Sequence, residues 1–158
     1  MNLQDYQQPD VIRRALAQPN VAIVGLSGND LRASNFVGRY FLRHGYNVIP
    51  VNPREDTILG RKSYASLTDI TEPVDTVDVF RQPGAVPAIA RDAVEIGAKC
   101  LWLQFGVISE EGVAIAGEGG LDVVMDRCMK VEHARYLGRM HWLGFNTGRI
   151  TAQRVAAD

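Results

Sequence analysis

The sequence has little of what marks several large classes of protein. It holds two cysteines, Cys100 and Cys128, in 158 residues, which is too few for a disulfide framework and lacks the spacing of a metal site. Its first 20 residues contain no long apolar run, which predicts neither a secretory signal nor a membrane span. Free thiols without an export signal predict a protein of the reducing cytoplasm.

An excess of charge of either sign is also missing. Lys and Arg number 17 against 18 Asp and Glu, which gives a formal net charge of −1. Proteins that bind nucleic acids or anionic membrane surfaces are normally more basic, so the sequence predicts neither partner. The hydrophobic fraction of 46% and the charged fraction of 22% are those of a globular protein, and the length fits one domain.

Residues 21–53 have the order of elements of a dinucleotide-binding unit but lack its glycine pattern. The stretch VAIVGLSGNDLRASNFVGRYFLRHGYNVIPVNP, residues 21–53, has an apolar run, a glycine turn, a helical segment and a second apolar run. Ser27 stands where G-x-G-x-x-G has its second glycine, and Asn52 stands where an acidic residue would bind ribose hydroxyls. Both departures disfavour a nicotinamide-dependent oxidoreductase. Asn29 replaces the last glycine of a hydrolase G-x-S-x-G motif.

Apolar runs and helical patterns alternate along the chain. Strands are predicted at residues 21–25, 47–51, 75–80, 100–104 and 121–125. Helices are predicted at residues 10–17, 34–44, 84–96 and 109–117, with Ser34 and Ser109 as N-caps. This alternation predicts an α/β fold, with right-handed βαβ units and a doubly wound parallel sheet of about five strands.

The remaining segments are predicted to be less regular. We expect residues 54–73 to form a long crossover with only short structure. The domain core spans about 10–140, and residues 141–158 form a C-terminal tail. From residue 130 onward the chain is expected to lie across the sheet edge or to help a dimer contact.

Ligands of such sheets bind at the carboxyl ends of the strands, where the strand order reverses. After the first strand, Gly25 and Gly28 allow a tight turn, and the next helix begins with unpaired N–H groups suited to an anion. Ser27 and Ser34 add hydroxyl donors, and Arg32 adds a guanidinium that fits a phosphate. The alternative is an ordinary tight turn between strand and helix.

The other strand ends also carry polar residues and turn-forming residues. These are Pro50, Asn52 and Pro53 after the second strand; Phe80, Arg81, Gln82 and Pro83 after the third; and Gln104 and Gly106 after the fourth. Arg54, Arg61 and Lys62 are candidates for a further phosphate, with a solvated loop as the alternative. Together these strand ends predict an extended ligand.

Four motifs carry a resemblance to a known family. They are the 21–53 stretch, VDVFRQP, IGAKCLWLQFGV and LDVVMDRCM. They resemble the small stand-alone CoA-binding proteins, which are similar to the CoA-binding domain of the succinyl-CoA synthetase α-subunit. The resemblance covers roughly residues 10–140. It implies a Rossmann-like fold whose ligand is coenzyme A or an acyl-CoA.

The resemblance also implies roles for individual residues. Gly25, Ser27, Arg32 and Ser34 would hold the CoA phosphates. Asn52, Pro53, Phe80, Arg81 and Pro83 would border the nucleotide, and Gln104 and Gly106 would face the pantetheine arm.

Catalysis is not predicted for the chain by itself. Synthetases of that class use a phosphorylated histidine on a further domain and a partner subunit, and these 158 residues contain neither. His44, His133 and His141 show no metal-ligand spacing. We therefore expect a binder, carrier or regulator; the alternative is an enzyme component that needs a partner chain. A homodimer and an unknown protein partner both remain open.

The two cysteines are expected to differ. Cys100, at the start of a central strand, is expected to lie in the core, and Met125 and Met129 are also expected to be packing residues. Cys128 follows the last strand and is either a small packing residue or a thiol able to form a mixed disulfide with CoA.

Overall fold

The computed structural model describes residues 1–138 of the chain as strands, helices and connecting loops. The strands are β1 (Asn20–Val24), β2 (Asn47–Val51), β3 (Thr57–Ile58), β4 (Arg61–Lys62), β5 (Thr76–Val79), β6 (Cys100–Leu103) and β7 (Asp122–Met125). The α-helices are α1 (Pro9–Leu16), α2 (Ala33–Arg43), α3 (Val86–Glu95), α4 (Glu110–Glu118) and α5 (Met129–His133). Every predicted strand and helix is present. The tail 141–158 lies outside the described residues.

Five strands form one parallel sheet in the order β2-β1-β5-β6-β7. Their apolar side chains are buried on both faces, as the continuous apolar runs predict. Helices α3 and α4 cover one face, and α1, α2 and α5 cover the other. The chain therefore has the predicted Rossmann-like fold, in which the strand order reverses between β1 and β5.

The crossover from β2 to β5 contains only short structure, as predicted. β3 and β4 pair as an antiparallel hairpin, and Val51 and Tyr64 form a parallel bridge beside it. A short 3-10 helix follows at Leu67–Asp69. This segment covers part of the β2 edge of the sheet.

The chain after β7 differs from the expected irregular tail. Helix α5 is followed by a π-helical turn, Ala134–Gly138. Met129 of α5 is fully buried in the cluster that also holds Phe41 and Trp102. Of the segment expected at the sheet edge or at a dimer contact, residues 130–138 are described, and they lie on a face of the sheet: His133 is buried, and Tyr136 and Leu137 pack against the same cluster.

No helix within residues 1–138 is both long and apolar enough to cross a bilayer.

Candidate functional site

The carboxyl ends of β1 and β5 approach each other closely at the point where the strand order reverses. Gly25 adopts φ +90° and donates its N–H to the Val51 carbonyl at 2.9 Å. A Cβ at this position would overlap the Phe80 carbonyl oxygen. Glycine is required here by both the backbone conformation and the space, and it opens the turn that leads to α2.

The turn after Gly25 is held by side chains that take up its N–H groups. Ser27 donates its N–H to Ser34 Oγ at 3.0 Å, and Asn29 donates its N–H to Ser27 Oγ at 3.0 Å. Gly28 donates its N–H to Glu55 Oε2 at 2.9 Å. These three N–H groups therefore already have partners within the protein.

Ser34 does not cap helix α2, so the predicted N-cap is wrong. Arg32 occupies the cap position without a side-chain hydrogen bond, and Ser34 lies inside the first turn. Its hydroxyl instead supports the turn through Ser27. Among residues 1–138, the N–H groups of Ala33 and Ser34 donate no hydrogen bond, so the helix presents two free donors, as an anion site requires.

A cavity of about 330 Å³ lies over this helix start. It is lined by Gly25, Ser27, Arg32, Ala33, Ser34 and Phe80. The structure thus brings together the four residues predicted for the phosphates. The Arg32 side chain is exposed and forms no ion pair or hydrogen bond within the described part of the chain.

A second cavity of about 620 Å³ adjoins the first. It is lined by Ala33, Val37, Phe80, Arg81, Gln82, Pro83, Gln104, Phe105, Gly106, Val107 and Cys128. Most of this lining is apolar, with Arg81, Gln82 and Gln104 as its main polar side chains. Ala33 and Phe80 line both cavities, so the two adjoin each other at the point where the strand order reverses.

The loops after β6 and β7 are fixed to each other beside the larger cavity. Asp126 accepts the Gly106 N–H on Oδ1 at 2.7 Å. Asp126 has φ +61°, a left-handed conformation that is uncommon outside glycine, and Gly106 has φ +85°. Trp102 Nε1 donates to the Arg127 carbonyl at 2.8 Å. These bonds set the shape of the cavity wall around Gln104 and Gly106.

A buried carboxyl lies behind that wall, and the sequence analysis missed it. Asp78 on β5 is fully buried between Ile23 and Trp102 of the neighbouring strands. It accepts a hydrogen bond from Gln104 Nε2 on Oδ1 at 2.7 Å. Burial raises the pKa of Asp78 to about 7, and the hydrogen bond from Gln104 opposes that rise. The only sequence signal is a lone Asp in the apolar run TVDVF.

Two other predicted residues line neither cavity. Asn52 donates from Nδ2 to the Leu26 carbonyl at 3.0 Å and accepts the Arg54 N–H on Oδ1 at 2.9 Å. Its side chain therefore joins the loop after β2 to the glycine turn. Pro53 follows it in an exposed loop.

Glu55 reaches the glycine turn from the same loop. The sequence analysis considered Asn52 at the position of a ribose-binding acid and did not consider Glu55, whose carboxylate contacts Gly28. A Cβ on Gly28 would overlap this carboxylate. Glu55 lies four residues after the end of β2, beyond the residues that directly follow the strand.

The further basic candidates lie away from the two cavities. Arg61 donates to Asn47 Oδ1 at 2.8 Å, and the Lys62 ammonium lies 5.0 Å from the centre of the Tyr64 ring. Both belong to the hairpin beside β2. Arg54 is exposed in the loop before it.

The cysteines and histidines have distinct environments. Cys100 is buried in the core, as predicted, and burial raises the pKa of its thiol. Cys128 is half-buried and lines the larger cavity, while its mixed disulfide stays a prediction. His133 Nδ1 lies 2.8 Å from Tyr40 Oη, and His44 stacks on the Tyr40 ring. His141 lies outside the described residues.

Comparison with known proteins identifies relatives of several lengths. A family described as CoA binding domain matches residues 19–134. The uncharacterized protein YneT of Bacillus subtilis (strain 168) is 41% identical over 114 residues, which cover 72% of this chain and 84% of that protein. The ADP-forming acetate–CoA ligase II of Archaeoglobus fulgidus is 29% identical over 118 residues, 68% of this chain but 16% of the ligase.

Solved structures share the fold of this chain. A hypothetical protein from Pyrococcus horikoshii OT3 matches with a TM-score of 0.83 and 38% identity, over 87% of this chain and 98% of that one. The dinucleotide-forming acetyl-coenzyme A synthetase 1 of Ca. Korarchaeum cryptofilum shares the fold with a TM-score of 0.64 and 23% identity, over 73% of this chain and 27% of that one. The family match and these relatives show that the chain belongs to the CoA-binding domain family.

Proposed function

We propose that the protein binds coenzyme A or an acyl-CoA across the two adjoining cavities. In this proposal it acts as a binder, carrier or regulator and has no catalysis of its own. The sequence relationship to larger acyl-CoA-forming enzymes supports the choice of ligand class, because the shared segment is their CoA-binding domain.

The observation that carries the proposal is the pairing of a polar cavity with an apolar one. The smaller cavity combines the Arg32 guanidinium, two free helix N–H groups and two serine side chains. Such groups stabilise phosphate oxygens. The larger cavity has apolar walls and a few polar side chains, which suits the pantetheine arm of CoA and its amides. The two cavities meet at Phe80, where the phosphates of CoA join that arm.

Charge also favours this arrangement. CoA carries roughly four negative charges on its phosphates, so a helix start alone does not balance them. Arg32 at the smaller cavity and Arg81 at the larger one are both exposed. We assign Arg32 to the diphosphate and Arg81 to the remaining negative charge of the ligand.

Replacement of Arg32 tests the proposal. The Arg32→Ala variant is expected to lose at least about tenfold in CoA affinity, because a hydrogen bond to a charged group is removed. Calorimetric titration measures the loss, and unfolding in urea should be unchanged. Arg43→Ala, which removes an exposed arginine at the other end of α2, is the matched control. Equal CoA affinity in the Arg32 and Arg43 variants would remove Arg32 from the site.

A second candidate function follows from the similarity to acetate–CoA ligase. The matched segment makes up only 16% of that enzyme, so an enzyme component of this kind would need catalytic groups from a partner chain. Acyl-CoA formation that requires an added partner protein would favour this candidate. Acyl-CoA formation by the purified chain alone, from acetate, CoA and a nucleoside triphosphate, would contradict both functions.

A further inference from the structure

The Asp78–Gln104 pair links the interior of the sheet to the larger cavity. Asp78 is fully buried, and Gln104 exposes only 4% of its surface, yet Gln104 lines the cavity. The main chain of Gln104 is held on both sides, since its N–H donates to the Val79 carbonyl and its carbonyl accepts the Val107 N–H. Within the described part of the chain, the side-chain amide is held by Asp78 alone.

An ionised carboxylate accepts hydrogen bonds and donates none. With Asp78 ionised, only the NH2 group of Gln104 can face it at 2.7 Å, because the amide oxygen there would meet a second acceptor. The Gln104 Oε1 atom accepts no hydrogen bond from the described residues, and it is not among the buried polar atoms sealed from solvent. Its open side is therefore the cavity that Gln104 lines.

We propose that Asp78 is a positioning residue that holds the Gln104 amide with its oxygen toward the larger cavity, where it accepts a hydrogen bond from an amide N–H of the ligand arm. This inference rests on the proposed CoA function, since the pantetheine arm carries two such N–H groups. A ligand without N–H groups at this position gains nothing from the pair.

The second carboxylate oxygen makes the arrangement sensitive to protons. Asp78 Oδ2 is buried and accepts no hydrogen bond from residues 1–138. Burial raises the pKa of Asp78 to about 7. Once protonated, the carboxyl can donate to Gln104 Oε1, and the amide then turns its NH2 group toward the cavity. A donor would face the donors of the arm, so affinity for the arm falls as the pH drops below about 7.

Other titratable groups lie on the elements that pack on this face of the sheet. They are Cys100 on β6; Asp122 on β7; Asp10, Arg13 and Arg14 on α1; Arg39, Tyr40, Arg43 and His44 along α2; and Arg127, Cys128, Lys130, Glu132 and His133 around α5. Burial first, and then the charges of Asp122 and Asp78, raise the pKa of the Cys100 thiol, so this thiol stays uncharged at neutral pH. The Asp78→Asn variant keeps both histidines, so a pH dependence caused by His44 or His133 would persist in that variant.

The test compares two probes, CoA and adenosine 3′,5′-bisphosphate, which lacks the pantetheine arm. Asp78→Asn presents both a donor and an acceptor to Gln104, so the amide orientation is no longer fixed. CoA affinity at pH 8 is expected to fall roughly threefold to tenfold, the effect of one hydrogen bond, while affinity for the bisphosphate stays the same. In a Gln104→Met background, Asp78→Asn should have no further effect on CoA affinity.

The pH profile gives a readout that a purely structural role would not change. CoA has one phosphomonoester and the bisphosphate has two, and each titrates near pH 6. Loss of phosphate charge at low pH therefore weakens the bisphosphate more and, by itself, raises the ratio of CoA affinity to bisphosphate affinity. The turned amide has the opposite effect, so this ratio is expected to fall between pH 8 and pH 6 in the native protein and not to fall in Asp78→Asn. Because this comparison includes the unaltered protein, it remains decisive if a variant folds poorly.

Stability supplies the control for folding. Burial raises the pKa of Asp78 from 3.8 to about 7, so between these values the folded protein binds the proton more tightly than the unfolded chain. The ionised carboxylate therefore reduces stability as the pH rises from about 4 to about 7, and the loss levels off above that. Asp78→Asn should relieve this loss at pH 8, so weaker CoA binding by that variant does not reflect unfolding.

The outcomes separate the two proposals. If the native protein binds neither probe, the proposed function fails. If it binds CoA but Asp78→Asn has the same CoA affinity and the same pH profile, the positioning role of Asp78 fails alone. Equal losses for both probes would show that Asp78 supports the whole site and would overturn the proposed role at Gln104.

Discussion

At the residue scale, the glycine turn combines groups that attract an anion with one that repels it. Arg32, Ser27 and the free N–H groups at the start of α2 favour phosphate. Glu55 places a carboxylate 2.9 Å from the Gly28 nitrogen in the same turn. This carboxylate stabilises the turn in the absence of a ligand, but its negative charge opposes a bound phosphate.

Neutralising Glu55 should therefore strengthen CoA binding. Glu55→Gln keeps an oxygen that can accept the Gly28 N–H and removes the charge. We expect CoA affinity to rise about twofold to fivefold at low salt, and the gain to shrink as salt screens the repulsion. Titration at two salt concentrations measures both effects.

Asp56→Asn is the matched control, because it removes the same formal charge from the next, exposed position. A gain confined to Glu55→Gln would place the repulsion at the turn. Equal gains in both variants, or weaker binding by Glu55→Gln, would contradict the role assigned to Glu55.

The residue scale is also where sequence reasoning was least complete. Gly25, Ser27, Arg32 and Ser34 were predicted together, and one cavity contains all four. Glu55 and Asp78 were missed because their partners, Gly28 and Gln104, lie 27 and 26 residues away along the chain. Such contacts follow from the tertiary fold and leave no local pattern.

At the element scale, two serines with the same local signature have different roles. Ser109 caps α4 as predicted, since its Oγ accepts the Gly112 N–H at 3.0 Å. Ser34 was predicted as a cap on the same grounds, but α2 begins one residue earlier and the hydroxyl of Ser34 is bonded to Ser27. The preference of serine for the N-cap position identifies a cap only where no neighbouring loop offers the serine hydroxyl another hydrogen bond.

The Ser109 cap leads to a stability prediction. Ser109→Ala should lower the free energy of unfolding by about 1 kcal/mol, because the Gly112 N–H loses its acceptor at the helix start. Denaturation in urea measures the change. Ser109→Asp restores a capping oxygen and should recover most of the loss. Unchanged stability in Ser109→Ala would show that the cap contributes nothing.

Strand positions were easier to predict than helix roles. Strand β2 has the predicted bounds; β1 and β5 differ from prediction by one residue at both ends, and β6 and β7 differ by one residue at one end. Apolar runs such as NVAIV and CLWL are buried on both faces of the sheet. A strand covered on both faces has a continuous apolar run, which makes its position visible in the sequence. Helix α5 was not predicted because it is only five residues long.

At the scale of the whole molecule, the position of the site follows from the strand order. The reversal between β1 and β5 leaves a crevice at the carboxyl ends of the strands. Both cavities lie there, and Ala33 and Phe80 connect them. The sequence predicted the fold and, from the strand order, a candidate site at this crevice, while the division into a polar and an apolar cavity required the packed structure.

The central claim is that this crevice binds CoA. The most direct measurement is calorimetric titration of the reduced protein with CoA, NAD and ATP in parallel. Our account predicts saturable binding of CoA at concentrations well below those needed for NAD or ATP. Two results would contradict it. One is NAD binding more tightly than CoA, with Glu55 binding the ribose hydroxyls, and the other is no saturable CoA binding at all.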